Sequence, residues 1–164
     1  MKSDYRVRAE KLINKIYPSI KGNYNPANVR ARIKEYNEAH NARIVVCNGA
    51  ARCAIIYSDY VIKFDYGNAK SWAGGCEDEY KKYSEIIAPS KYNYLFAEIT
   101  KIKVDRKNMY IMPRVKNVGH CAYCWRNLTA EEQRFIHSVT SDMHSNNYGI
   151  FNRKPKIVDY AMEP

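Results

Sequence analysis

The 164-residue chain is 46% hydrophobic and 27% charged, with 7 Gly and 6 Pro. That composition excludes a disordered or fibrous chain and suits one compact unit with its own core. The formal charge of +10 favours polyanionic partners, whether nucleic acid, nucleotide phosphates or an acidic protein surface, and steers association without choosing among them. No run approaches the roughly 18 apolar residues of a membrane span, and the opening MKSDYRVRAEKL has no apolar signal core, so the expectation is a cytoplasmic protein with no membrane partner. Five cysteines, an odd number in such a chain, predict reduced thiols rather than a disulfide framework.

In chain order, Tyr5, Ala9, Leu12 and Ile16 recur on one helical face, and the helix is predicted to end before Pro18. NPANVRARIKEYNEAH predicts a second helix, with Asn25 as N-cap, Pro26 at the first helical position and Val29, Ile33, Tyr36 and His40 on one stripe. The short β-branched and aromatic runs RIVVCNG, CAIIYS and YVIKFD then predict three antiparallel strands. GCEDEYKKYSEII restores helical spacing through Tyr80, Tyr83 and Ile87 and ends before Pro89. YLFAEITKIKV and NMYIMPRV predict a second hairpin turning at DRKN, and a loop with His120, Cys121 and Cys124 follows. A capping box, Thr129 to Glu132, opens a helix facing Phe135, Ile136 and Val139 inward, with His137 partly buried. YGIF and KIVDY frame a last turn at Asn152, Arg153 and Lys154. The fold class is α+β.

Basic charge is concentrated early, since residues 1–43 hold ten Lys and Arg against four Asp and Glu, and residues 44–164 hold seventeen against thirteen. The candidate chemistry lies late. Asp142 and Asn147 are five apart with His144 between them, and Asp159 follows twelve residues after Asn147. Phosphoryl transfer needs a carboxylate to orient and receive the proton of an attacking hydroxyl, and further oxygen ligands to hold magnesium against nucleotide phosphates. A hairpin between Asn147 and Asp159 would return those two oxygen donors to one place.

DMHSNN followed by IVDYA resembles the catalytic loop and metal-binding segment of protein-kinase-like folds. With histidine two residues after the aspartate, it is similar to the antibiotic and choline kinases and to small phage-encoded kinase-like proteins. The resemblance implies Asp142 as catalytic base and Asn147 and Asp159 as magnesium ligands. Upstream, VIK ending at Lys63 resembles the strand whose lysine holds the nucleotide phosphates. EYKKY resembles the helix whose glutamate, here Glu79 with Glu77 and Glu85 as alternatives, pairs with that lysine. NGAARC with Gly49 stands where a phosphate-covering loop would, and MYIMPRV where a hinge would meet the adenine. The implied architecture is a helical extension over residues 1–42 and a minimal, truncated kinase-like domain over 43–164, with ATP and magnesium as cofactors and an unidentified protein or small-molecule acceptor.

The pattern also departs from that family. NGAARC keeps one glycine, Thr140 and Ser141 replace a His-Arg pair, DYA replaces Asp-Phe-Gly, and the sequence stops at Pro164, leaving no activation segment. These departures motivate a second expectation, a pseudokinase-like phage protein that engages a host protein. The charge motivates a third, a basic nucleic-acid binder, although no recognition motif is present and most of the 15 tyrosines sit at core positions. HCAYC has too few ligands for a structural zinc site and predicts ordinary loop thiols; His144 is expected to brace its loop through a hydrogen bond.

Overall fold

Two units carry the elements, residues 1–72 with 100–114 and residues 73–99 with 115–164. The computed structural model describes residues 4–49, 52–66, 75–116, 126–141, 147–151 and 154–159. Among these, four α-helices, a five-stranded antiparallel sheet and a two-stranded sheet make an α+β protein. No helix among the described residues is long and apolar enough to cross a membrane.

The first unit opens with α1, Tyr5–Ile20, capped by the Asp4 carboxylate, which accepts from the Arg6 amide. The helix runs through Pro18 instead of stopping before it. A proline inside a helix costs about 3 kcal/mol. Continuation buries Tyr17 and Ile20, each contributing about 2 kcal/mol of apolar transfer, and Lys21 still donates to the Tyr17 carbonyl at 2.9 Å. α2, Pro26–His40, begins as predicted, with the Asn25 side chain accepting from the Asn28 amide and Pro26 filling a position that needs no donor. Its inward residues are Val29 and Ile33, whereas His40 is exposed and stacks on Tyr36.

Both helices cover one face of a sheet built from β1 (Val45–Asn48), β2 (Arg52–Tyr57), β3 (Tyr60–Asp65), β4 (Thr100–Val104) and β5 (Lys107–Pro113), in the order β1-β2-β3-β5-β4. Alternation along the strands sends Cys53, Ile55, Ile62, Phe64, Met109 and Ile111 into a core shared with Ala9, Ile13 and Ile16. Burial pushes the Cys53 thiol up to about 12, so it packs as an apolar side chain. Two ion pairs fasten α1 to hairpin turns: Arg8 to Asp59 and Lys21 to Asp105. The Arg8 hydrogen bond holds the Asp59 carboxyl below its ordinary range.

In the second unit α3, Cys76–Lys82, passes into a π turn, Tyr83–Ile87, closed by the Ala88 amide on the Tyr83 carbonyl at 2.7 Å. The wider turn breaks the expected stripe. Tyr80 and Tyr83 are half-buried and Ile86 is exposed, and the residues turned inward are Cys76, Glu79, Lys82 and Ile87. Residues 94–99, expected as strand, form instead a 3₁₀ turn, Asn93–Leu95, and a short extended run. Leu95, Phe96, Ala97 and Ile99 are all buried, without the alternation of a half-exposed strand, so β4 starts only at Thr100. α4, Ala130–Val139, has the predicted capping box and buries Ile136 and Val139, but His137 is exposed. β6 (Tyr148–Phe151) and β7 (Lys154–Ile157) pair with Lys154 opposite Phe151, which places Lys154 in a strand rather than in the turn.

Candidate functional site

Burial of polar groups points to one unit. A polar side chain leaves water only where partners compensate it, because an uncompensated burial costs on the order of 1 to 3 kcal/mol. Among the described residues the buried polar and charged ones are Glu79, Lys82, Thr140 and Asn147, and all four belong to the second unit. Two of them, Thr140 and Asn147, bracket the stretch that contains Asp142. Asp142 and His144 themselves, like His120, Cys121 and Cys124, lie outside the described residues.

The hairpin expected between Asn147 and Asp159 is present. Tyr148 pairs with Ile157, and one step further the Val158 amide donates to the Asn147 carbonyl at 2.7 Å. The register therefore sets Val158 opposite Asn147, with Asp159 the next residue along the chain. Asn147 is 8% exposed and Asp159 half-buried. An amide oxygen and a carboxylate oxygen are hard donors that suit magnesium, so the donor set fits that cation.

Both edges of this hairpin are held by backbone bonds. The Ala97 amide donates to Ile157 at 2.7 Å, with Phe96 bridged in parallel to Ile157. On the other edge Lys116 and Ile150 exchange bonds of 2.8 and 2.9 Å; on the first edge the Lys156 side chain adds a bond from Nζ to the Phe96 carbonyl at 3.1 Å. This approach is possible because residue 149 is glycine. A Cβ there would lie 2.4 Å from the Lys116 carbonyl oxygen and 2.8 Å from Val115 Cγ2.

Glu79 sits on the buried side of α3, 1% exposed. Three residues on, Lys82 is 9% exposed and its Nζ donates to the Val139 carbonyl at 3.0 Å. Lys82 is absent from the sequence-derived site. Its only cue in the sequence was the i, i+3 spacing to Glu79, a weak signal.

Lys63 belongs to the first unit, on the central strand β3, between Ala54 of β2 and Tyr110 of β5. Because Ile62 and Phe64 point to the helical core, Val61 and Lys63 occupy the opposite face. On that face the cross-strand row Val45, Ile56, Val61, Met112 lies beside the row Cys47, Ala54, Lys63, Tyr110, Lys101. Val45 is 53% exposed, so the apolar row begins at open surface on the edge strand. Gly49 donates its amide to the Arg52 carbonyl at 2.9 Å. A Cβ there would meet only that oxygen, at 3.6 Å, so sterics do not demand glycine at this position.

No protein-family model matches the chain, and no curated protein matches it significantly.

Proposed function

We propose that the protein is an ATP- and magnesium-dependent phosphotransferase acting on an alcohol group. The observation that carries this reading is the β6–β7 hairpin, whose register pairs Val158 with Asn147 and so leaves Asp159 one residue beyond that pair. The concentration of buried polar side chains in that unit supports it, as does the place of Lys63 on the sheet face turned away from α1 and α2.

In this reading Lys63 holds the nucleotide phosphates and Gly49 belongs to the covering loop. Asp142 orients the acceptor hydroxyl and takes its proton as the new oxygen–phosphorus bond forms at the γ-phosphate and the bond to the bridging oxygen breaks, releasing ADP. Asn147 and Asp159 would hold magnesium, which when bound supplies charge neutralisation at the phosphates. Most of the acceleration then comes from positioning.

Calorimetric titration with ATP and magnesium, beside Asp159→Ala, tests it. Magnesium-dependent binding by the wild type that the substitution abolishes is expected; no binding by the wild type overturns the reading and leaves the pseudokinase-like alternative, which needs no nucleotide.

One observation favours a second reading, binding to nucleic acid. The first unit carries eighteen Lys and Arg against seven Asp and Glu, and the second nine against ten. The net positive charge thus resides wholly in the unit that holds α1, α2 and the sheet.

A further inference from the structure

Lys82 is a buried cation at the end of a helix it does not belong to. α4 ends with Val139, and Thr140, its C-cap, is fully buried and donates its amide to Ile136 at 3.0 Å. The last carbonyls of a helix have no partner within it and gather partial negative charge. Lys82 Nζ supplies a donor to one of them, Val139, at 3.0 Å. Water does not replace that bond freely in a buried setting, and a long flexible side chain gives up about 2 kcal/mol of rotamer entropy to be held so. A solvated position on α3 would carry no such cost.

We infer that Lys82 is a positioning residue: it fixes the C-terminal end of α4, Val139 and Thr140, relative to α3. Its effect on turnover rests on the phosphotransferase reading, in which the assigned base, Asp142, follows Thr140 by two residues in the sequence. The effect is on geometry, and small displacements of positioned groups lower turnover more than ground-state binding.

The test compares the wild type with Lys82→Met, which keeps the length and apolar stem, and Lys82→Arg, which keeps a donor. Amide hydrogen exchange is followed at Val139, Thr140, Ser141 and Asn147, with the sheet amides of the first unit as the control for global unfolding. Lys82→Met is expected to speed exchange at those positions at least tenfold beyond any change in the sheet, and Lys82→Arg to restore most of the protection. Equal acceleration in both places, or none, overturns the inference.

If Lys82→Met does not fold, the wild type alone decides. Val139 and Thr140 should open with the α3 amides at a common free energy across a denaturant series, and separate opening overturns the coupling. Where ATP is turned over, with ADP release as the probe, Lys82→Met should lower kcat at least tenfold with KM for ATP within about twofold. Because exchange is read without nucleotide, failure of ATP binding would sink the phosphotransferase reading while the positioning role is still decided.

Discussion

A methyl group at position 149 would collide with the Lys116 carbonyl at 2.4 Å, and the oxygen cannot retreat without giving up its bond from the Ile150 amide. Overpacking of this kind costs about 1 to 3 kcal/mol, so Gly149→Ala should destabilise the protein by about that amount in urea denaturation. It should also weaken magnesium-dependent ATP binding, because β6 sets the place of Asn147. Gly49→Ala, with only an ordinary 3.6 Å contact, should change stability little. Position 41 runs the other way. Asn41 closes α2 in the left-handed region at φ 47, where glycine is the more favourable residue, and Asn41→Gly should add up to about 1 kcal/mol by the same measurement. Of the two glycines, the sequence drew attention to the less constrained one. The loop around Gly49 looks like a motif, whereas the demand on Gly149 comes from Lys116, more than thirty residues away.

Each helix shows how local chemistry and distant packing divide the work. The capping box of α4 was legible in four residues: the Thr129 hydroxyl accepts from the Glu132 amide at 3.2 Å, and the Glu132 carboxylate accepts from the Thr129 amide at 2.6 Å. Thr129→Ala should cost about 1 kcal/mol. The sequence did not show that two tyrosine hydroxyls from the preceding segment also donate there, Tyr92 to Glu131 at 2.6 Å and Tyr94 to Glu132. The Tyr94 bond first, and the Thr129 amide next, hold the Glu132 carboxyl below 4.5. A carboxyl depressed in the folded state stabilises it above the unfolded pKa, and that contribution fades as pH falls through the lower, folded value. Stability should therefore decline with acidification below about 4.5, and Tyr94→Phe should flatten the decline, as thermal melts between pH 7 and 3 would reveal. In α3, by contrast, the π turn shifts the inward face, and the helical stripe through Tyr80 and Tyr83 missed Glu79 and Lys82 because a period of 3.6 assumes an unbroken helix.

Across the whole molecule the charge divides by unit rather than by chain half. Residues 100–114 leave the second unit to complete the sheet of the first and bring Lys101, Lys103, Arg106, Lys107 and Arg114 with them. A linear scan sees only the basic N-terminal stretch. If the first unit meets a nucleic acid, retention on single-stranded RNA or DNA should weaken steeply and log-linearly with salt between 50 and 200 mM. The slope should fall by about one for each contacting Lys or Arg replaced. No retention at the lowest salt removes that reading and leaves the nucleotide reading untouched.

The sequence by itself determined the α+β class, the antiparallel hairpins, the Asn25 and Thr129 helix starts and the hairpin between Asn147 and Asp159, because each depends largely on interactions within a dozen residues. Only the tertiary structure decided that α1 runs through Pro18, that residues 94–99 leave the strand pattern, and that Glu79 and Lys82 are buried. In each of these the free energy comes from burial against chain far away in sequence, and it exceeds the local preference that a linear reading can weigh.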